Sequence, residues 1–249
     1  MARHARSASS HGTIDVAGIP TPVEIRRHPS ARRLTLRVSR TDRSVVLTVP
    51  NGSDLGEAGR FAGRHADWVR KRLESVPSSV AFVDGAVIPV RGIAHSLRFS
   101  GETRAEGVVV ANPTDQGVPA ALLVSGRVEH APRRLLEWLM REACRDLDAS
   151  VLHHAGRLGL RPRRITVRDQ RSRWGSCSST GRLAFSWRLI LAPTFVLDYV
   201  AAHEVAHLAE MNHGPRFWSL VEQTCPATQQ AKAWLSAHGT TLHGYGPPS

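Results

Sequence analysis

The sequence predicts an α+β fold: a mostly β N-terminal region followed by a compact, more helical region with a buried site helix. Three observations favour this division. Before residue 130, short segments alternate apolar and polar residues as half-buried strands do. After that point, apolar residues recur at helical spacing. Third, the segment YVAAHEVAHLAEMNHGPRFW (199–218) places three histidines and two glutamates in apolar surroundings, where such groups need partners.

The composition is that of an ordinary globular protein. The chain has 249 residues, of which 41% are hydrophobic and 22% charged, enough for one large domain or two modest ones. Its three cysteines are widely spaced, which is typical of free thiols in a reducing compartment and predicts a cytoplasmic protein. The N-terminus lacks the apolar run of a secretory signal, and no segment reaches the ~20 apolar residues that span a bilayer, so we expect no membrane association.

The formal net charge of +12 raises the question of a nucleic-acid ligand, because a basic surface attracts phosphate. Nearly all of this charge is arginine, with Lys71 and Lys232 as the only lysines. GC-rich coding produces the same skew without selection for phosphate binding, so nucleic acid is a possible partner but not the favoured one. No pattern in the sequence predicts an oligomeric state.

The first two regions of the chain are predicted to be a tail and a β-rich region. Residues 1–12 are polar and are expected to form a disordered tail. Residues 13–130 are expected to be mostly strand, with one helix from about Leu55 to Ser75 and a hairpin turn at Thr41-Asp42. The expected strands are 23–28, 33–38, 44–50, 86–90, 94–99, 108–111 and 121–124.

Residues 131–249 form the third predicted region, which carries the site. Apolar residues that recur from Leu135 to Val151 predict a long amphipathic helix over 132–159, ended by Gly159. The other expected elements are strands at 164–169 and 183–190, a site helix from about Pro193 that is apolar nearly all round, and helices at 215–225 and 227–238.

His203 and His207 stand four residues apart in the pattern H-E-x-x-H. On a helix, such residues differ by ~40° in azimuth and ~6 Å in height, so two ring nitrogens can meet one ion at ~2.1 Å. Glu204 lies ~100° round the helix, where it can flank the ion and act as a general base on water. A chance match is the alternative in a chain with 13 histidines, but the apolar helix favours zinc, with Glu204 as the catalytic residue.

His213 is the candidate third ligand, which an open catalytic zinc site requires. On a continued helix it would point ~80° away from His203 and lie ~15 Å along the axis, so the helix has to break. Asn212 tolerates a left-handed cap, and the Gly-Pro pair after His213 does not readily extend a helix. Glu210 is expected to be a hydrogen-bonding neighbour of the ligands or a solvated residue rather than a ligand.

The run RSRWGSCSSTGRLAFSWRLILAPTFVLDYVAAHEVAHLAEMNHGPRFW (171–218) resembles the YgjP-like metallopeptidases, compact zincins related to the SprT and WLM types. Two earlier segments, ADWVRKRL and FVDGAVIPVRGIAHSLRF, resemble the N-terminal part of those proteins, so the similarity covers about residues 20–240. The combination of WGSC, WRL, HExxH and NHxxxFW is specific. It implies a zincin-like metallopeptidase domain over 131–249.

This resemblance implies a zinc-dependent hydrolase of peptide bonds. Its metal ligands are then His203, His207 and His213, and its general base is Glu204, which agrees with the spacing argument. The resemblance and the order of elements also imply that LAFSWRLI (183–190) is an edge strand that binds an extended peptide substrate through main-chain hydrogen bonds.

Several residues near the motif are left open. Ser186 stands where the family pattern has Asn, so a polar substrate contact there is in doubt. Glu210 replaces the glycine of metzincins, which argues against that group. The WGSC loop (174–177) can lie near the zinc, but a structural role is favoured for it. An inert thiol is favoured for Cys177 over a fourth zinc ligand. The candidates for oxyanion stabilisation are Arg188, Tyr199 and Tyr245.

The rival interpretation is a zinc-stabilised nucleic-acid or protein-binding module without catalysis. In it, arginines of the first-half sheet make the contacts: Arg26, Arg27, Arg32, Arg33 and Arg37. A purely structural zinc site is normally closed by four protein ligands and needs no adjacent base, so Glu204 favours the peptidase. The SprT-like relatives also suggest a mixed function, proteolysis of nucleic-acid-bound proteins.

Overall fold

The computed structural model describes residues 11–39, 43–74, 79–101, 107–111, 120–170 and 172–247. The chain forms two compact units, residues 1–77 and 78–249. The predicted disordered tail lies outside the described residues, except that His11 and Gly12 begin the first strand. The predicted turn at Thr41-Asp42 also lies outside them.

The first unit is a four-stranded sheet packed against two helices. Its sheet has the order β1-β2-β4-β3, with β2 and β4 parallel. Val45, Leu47 and Val49 alternate into the core, as the strand pattern predicts. The strands are β1 (His11–Ile14), β2 (Val23–His28), β3 (Thr35–Val38) and β4 (Val45–Pro50), and the helices are α1 (Leu55–Arg64) and α2 (Ala66–Glu74).

One continuous helix was predicted for this unit, but two are present. Asp54 caps α1 by accepting a hydrogen bond from the backbone N–H of Glu57 at 3.0 Å. The helical path is interrupted at His65, whose backbone has φ −107° and ψ 12°. The apolar stripe continues across the interruption, because Ala58, Ala62, Val69 and Leu73 are all buried.

The second unit begins with strands that share a core with the long helix. Its four-stranded sheet has the order β6-β7-β9-β8. Leu97 and Leu122 of this sheet belong to the same buried cluster as Leu135 and Leu139 of α3. These elements are β5 (Val80–Ala81), β6 (Val87–Val90), β7 (Ile93–Ser100), β8 (Gly107–Ala111), β9 (Ala121–Ser125) and α3 (Ala131–Leu158).

The predicted boundary near residue 130 therefore differs from the division at residue 77. The sequence changes there from strand to helix, but the apolar face of the sheet is covered by the helix that follows it, so both belong to one unit. The long helix itself has nearly the predicted extent. It ends at Gly159, whose φ of 65° is left-handed.

Arg91 joins β6–β7 to α3 through two carboxylates. Its guanidinium donates to Asp146 at 2.7 and 2.8 Å and to Glu142 at 2.8 Å. These acids raise the pKa of Arg91 against the effect of burial. The side chains of Glu142 and Asp146 are 10% and 22% exposed, so without Arg91 two neighbouring carboxylates would be largely shielded from water.

Replacing Arg91 by Ala is expected to lower the free energy of unfolding by about 2 kcal/mol, because it leaves two partly buried carboxylates without their shared partner. Urea denaturation followed by circular dichroism measures this. Arg26→Ala is the matched control, since Arg26 pairs with Glu24 on the surface and is 50% exposed. It should change stability by less than about 0.5 kcal/mol. Equal effects of the two variants would contradict the role of Arg91.

The remaining elements surround the predicted site. A three-stranded sheet has the order β10-β12-β11, with β10 parallel and β11 antiparallel to β12. The elements are β10 (Arg164–Arg168), β11 (Gly175–Cys177), β12 (Arg182–Ser186), a 3-10 helix (Trp187–Leu191), α4 (Thr194–Ala206), α5 (Pro215–Thr224), α6 (Thr228–Leu242) and β13 (Tyr245–Gly246).

The prediction that LAFSWRLI is an edge strand is wrong. Only its first half lies in β12, which is the central strand of its sheet. The second half is the 3-10 helix, in which Trp187, Leu189, Ile190 and Leu191 are all buried. Continuous apolar character does not distinguish a strand from a buried helical turn.

Helix α4 is fixed to α3 by a polar contact. Asp198 accepts hydrogen bonds from the Ser150 hydroxyl at 2.6 Å and from the His154 ring at 3.0 Å. These two partners stand four residues apart on one face of α3. The pKa of Asp198 is lowered by these partners even though burial opposes this. In the described part of the chain, no helix has both the length and the apolarity needed to span a membrane.

Candidate metal centre

Helix α4 supplies the first two predicted ligands. His203 lies in its last turn and His207 caps its C-terminus, with φ −65° and ψ −15°. Their ring centroids are 4.9 Å apart, which is a consequence of the four-residue spacing. Both histidines are partly buried, whereas most of the helix around them is buried.

The chain leaves the helical path directly after the second histidine. The helix ends at Ala206, and the next helix begins only at Pro215. The intervening loop brings His213 back, so that its Nε2 lies 3.1 Å from Nε2 of His203 and its ring centroid 4.7 Å from that of His207. The predicted break is present, and it begins earlier than the expected position at Asn212.

The potential ligand atoms of His203, His207 and His213 lie within 4.8 Å of one another. Two nitrogens that bind one tetrahedral zinc ion at ~2.1 Å are ~3.4 Å apart, so the separation of the three rings is compatible with a shared ion. No other group of three His, Cys, Asp or Glu residues in the described part of the chain is close enough to hold a metal.

The environment of His203 and His207 favours their neutral forms and orients their rings. Burial, with smaller effects from the neighbouring His207 and His213, lowers the pKa of His203 to about 4. Burial also lowers the pKa of His207. The Nδ1 of His207 lies 3.0 Å from the carbonyl oxygen of Glu210, and the Tyr199 hydroxyl lies 3.5 Å from Nδ1 of His203. Because these contacts involve Nδ1, the Nε2 atoms of His203 and His207 can bind a cation.

An aromatic wall backs the three rings. The ring centroid of Phe217 lies 4.9, 4.5 and 4.7 Å from those of His203, His207 and His213. Trp218 adds a second contact, with its ring centroid 5.9 Å from that of His203, and Nζ of Lys232 lies 4.2 Å from the Trp218 ring centroid. The FW pair of the sequence therefore limits the rotation of the histidines, as well as anchoring α5.

Glu204 lies beside the three histidines and is 5% exposed. Burial raises its pKa to about 7, although the charge of Arg173 opposes the shift. Its carboxylate accepts no hydrogen bond from another described residue. A buried carboxylate without a protein donor is suited to accept a proton from a small molecule such as water.

The chain matches a known protein family. The YgjP-like metallopeptidase domain profile matches residues 32–238, which is most of the chain. The chain belongs to the YgjP-like family. It therefore carries a metallopeptidase domain, and the family implies a metal ion and a peptide or protein substrate.

Other comparisons add little to the family assignment. The metallopeptidase zymogen abylysin of Pyrococcus abyssi matches with 22% identity over 39% of this chain and 94% of its own, at a TM-score of 0.34. A similarity of that extent is too small to inform the site. No curated protein matches the chain.

In this YgjP-like chain, Gly175 of the WGSC loop lies against Glu204, although the sequence favoured a structural role for this loop. A Cβ added at Gly175 would lie 2.5 Å from Oε1 and 2.6 Å from Cγ of Glu204. The glycine thus lets strand β11 approach the carboxylate closely. A structural role was favoured for the WGSC loop, and the Gly that follows its Trp was the signal for this close backbone approach.

Replacing Gly175 by Ala is expected to lower kcat on the order of 10- to 100-fold with the zinc content unchanged, because Glu204 has to move to make room for the methyl group. Steady-state kinetics with metal analysis measures this. Gly156→Ala is the control, since it adds the same methyl group to helix α3 where no atom lies within 4 Å. An unchanged kcat for Gly175→Ala would show that the position of Glu204 does not depend on this glycine.

The side chains of two polar candidates of the YgjP-like domain bond to residues other than the three histidines. Glu210 forms an ion pair with Arg216 at 3.1 Å, in agreement with the prediction that it is not a ligand. Ser186 is fully buried, donates to the carbonyl of Gln170 at 3.2 Å and caps the 3-10 helix. Its contacts are with the protein itself.

The structure also shows the surroundings of Cys177 and of the three candidates for oxyanion stabilisation. Burial, then the charge of Glu204, raises the pKa of the Cys177 thiol to about 11, so it stays protonated and is not in the group of metal-binding side chains. Arg188 pairs with Asp169 and donates to the carbonyl of Tyr245, which occupies it. Of the three oxyanion candidates, only Tyr199 touches a histidine of the centre.

Proposed function

We propose that this chain is a zinc-dependent peptidase in which His203, His207 and His213 hold the ion and Glu204 is the general base. The observation that carries the proposal is the convergence of three imidazoles beside a buried carboxylate that accepts no hydrogen bond from another described residue. Three protein ligands with an adjacent base are typical of catalytic zinc sites.

The residues present fit the ion. Their nitrogens are close enough to share it, and imidazole is a preferred zinc ligand. Held there, zinc would supply Lewis-acid activation of water and of the scissile carbonyl. All other steps fall to the residues of the chain.

Glu204 handles the proton of the reaction. Its carboxylate accepts a proton from the attacking water as the new C–O bond forms, and it then delivers that proton to the nitrogen of the leaving amine as the C–N bond breaks. Burial favours the neutral form of the carboxyl group, which makes it an adequate proton donor in the second step.

We place the extended substrate along strand β11. This strand takes the substrate-binding role that the sequence predicted for LAFSWRLI. It ends the sheet order β10-β12-β11 and lies next to Glu204. Toward β12, Trp174 accepts from the N–H of Ser186 and Ser178 donates to Arg182, both at 2.9 Å. Because alternate residues face alternate sides, the backbone groups of Gly175 and Cys177 face outward and can pair with a peptide.

A zinc-stabilised module without catalysis is less well supported. A structural zinc site is normally closed by a fourth protein ligand. Among the described residues, the group of metal-binding side chains contains three members and leaves one position for water. A closed site also needs no buried glutamate beside it, whereas Glu204 is buried and accepts no hydrogen bond from another described residue.

The proposal is tested by removing and restoring the metal. Dialysis against a chelator is expected to abolish cleavage in a peptide-library assay read by mass spectrometry, and stoichiometric zinc is expected to restore it. Magnesium, which prefers oxygen ligands, should not restore it. Zinc-loaded protein that cleaves no peptide in the library would contradict the proposal.

A further inference from the structure

Strand β10 is the second edge of the sheet that carries β11, and its outer side is unpaired. Arg163, just before it, donates its backbone N–H to the carbonyl of Gly181 at 2.8 Å, toward β12. Since successive residues direct their amides to opposite sides, the amides of Arg164, Thr166 and Arg168 face away from the sheet. No strand in the described part of the chain pairs with this side of β10.

Five exposed arginines lie on β10, just before it, or on the adjacent strand β12. Arg164 and Arg182 are register partners on the parallel strands β10 and β12, so their like charges lie side by side. Asp169, the acid nearest in sequence to Arg168, pairs with Arg188 instead. Within the described ranges, no carboxylate forms an ion pair with any of these arginines: Arg161, Arg163, Arg164, Arg168 and Arg182.

An apolar groove runs along the same edge, between β10 and α3. Its volume is about 590 Å³, and Leu152, Leu160 and Ile165 line it. The charged residues of its lining are Arg161, Arg164 and Asp148. Leu152 is 65% exposed, so its side chain is accessible to a bound segment. The groove thus offers apolar contact beside two arginines and one aspartate, so the cationic groups outnumber the anionic one.

This edge adjoins the candidate metal centre. A Cβ built at Gly181 would lie 3.7 Å from Leu208 and 3.8 Å from the Cβ of Arg163. Leu208 directly follows His207 in sequence. Gly181 therefore lies close both to the start of β10 and to the residue that follows His207.

We propose that the outer edge of β10, with its arginines and its groove, is an exosite that binds an extended acidic segment of a protein substrate. A strand added here would pair with the free amides of β10. Its side chains would alternate between the face of Arg164 and Arg168 and the apolar side of the groove. Glutamate or aspartate alternating with apolar residues is the complementary sequence.

Nucleic acid fits these features less well. Phosphates would satisfy the arginines, but they have no use for a row of free strand amides or for an apolar groove. The inference rests on the proposed peptidase function, since the bound segment belongs to a substrate whose scissile bond lies at β11.

Binding is measured separately from cleavage. The full chain with Glu204→Gln, which cannot process the probe, is titrated into a fluorescein-labelled peptide in which Glu and Val alternate, and anisotropy is followed. The double variant Arg164→Glu/Arg182→Glu is expected to weaken binding at least about tenfold. Both residues are exposed, so the fold should be retained, as circular dichroism checks.

Three controls sharpen this test. Arg32→Glu/Arg33→Glu makes the same change of net charge in the first unit and should alter the affinity less than about twofold. A probe with Lys in place of Glu should not bind. A probe N-methylated at alternate amides, in the register that faces β10, should bind at least about tenfold more weakly because it cannot pair with the strand.

The outcomes are distinct. Equal affinity of both double variants would overturn the exosite, and so would an N-methylated probe that binds as well as its parent. Tighter binding of single-stranded oligo(dT), lost in Arg164→Glu/Arg182→Glu, would assign the surface to nucleic acid instead. Cleavage of a neutral peptide by the wild type tests the peptidase alone, so a failure of the exosite and a failure of the proposed function are distinguishable.

Discussion

Glu204→Gln is expected to lower peptide cleavage by about 10²- to 10⁴-fold while zinc remains bound stoichiometrically. Gln has nearly the same shape as Glu, so it preserves the packing against Gly175. It cannot accept a proton from water, and the first step therefore loses its base. The measurement combines kcat/KM on a cleaved peptide with elemental analysis of the same protein.

The control for this variant is Glu222→Gln, an exposed glutamate of α5 that accepts from Gln229. It removes the same charge from the same unit and should leave kcat/KM unchanged. Equal cleavage by wild type and Glu204→Gln would remove Glu204 from the mechanism. Loss of zinc together with activity would instead make it a ligand.

His213→Ala is expected to weaken zinc affinity on the order of 100-fold or more, because it removes one of three protein ligands. His213 is exposed, so its truncation leaves the core intact. Zinc that binds only the folded chain raises its melting temperature. Zinc should therefore raise the melting temperature of the wild type but not that of His213→Ala at the same concentration.

The matched control is His28→Ala, which removes a histidine from the first unit, where its ring contacts Ser30. Its zinc affinity should equal that of the wild type. If His213→Ala binds zinc as tightly as His28→Ala, the third ring does not hold the ion, and the proximity of its Nε2 to that of His203 has another explanation.

Much of the metal centre could be predicted because it is local in sequence. The four-residue spacing of His203 and His207 places both rings on one side of a helix, whatever the rest of the fold does. A helix break before His213 was also predicted, but the helix already ends at Ala206, and the Gly-Pro pair instead begins α5. Glu210 was expected to be no ligand, and it pairs with Arg216.

Features that depend on distant contacts could not be predicted from local patterns. Gly175 matters because β11 passes over α4, a contact between segments almost thirty residues apart in the sequence. The strand order β10-β12-β11 likewise depends on packing, which the local sequence does not reveal. For this reason LAFSWRLI was predicted to be an edge strand, although its first half lies in the central strand. The position of the unit boundary follows from a core shared by β7, β9 and α3, which no composition shift marks.

X-ray absorption at the zinc edge of the purified, zinc-loaded chain tests the central claim most directly. Three imidazole nitrogens at about 2.0–2.1 Å and one oxygen from water are expected. A sulfur at about 2.3 Å, as Cys177 would supply, or a fourth protein nitrogen would close the site and contradict a peptidase. A chain that retains no stoichiometric zinc would contradict the metal centre altogether.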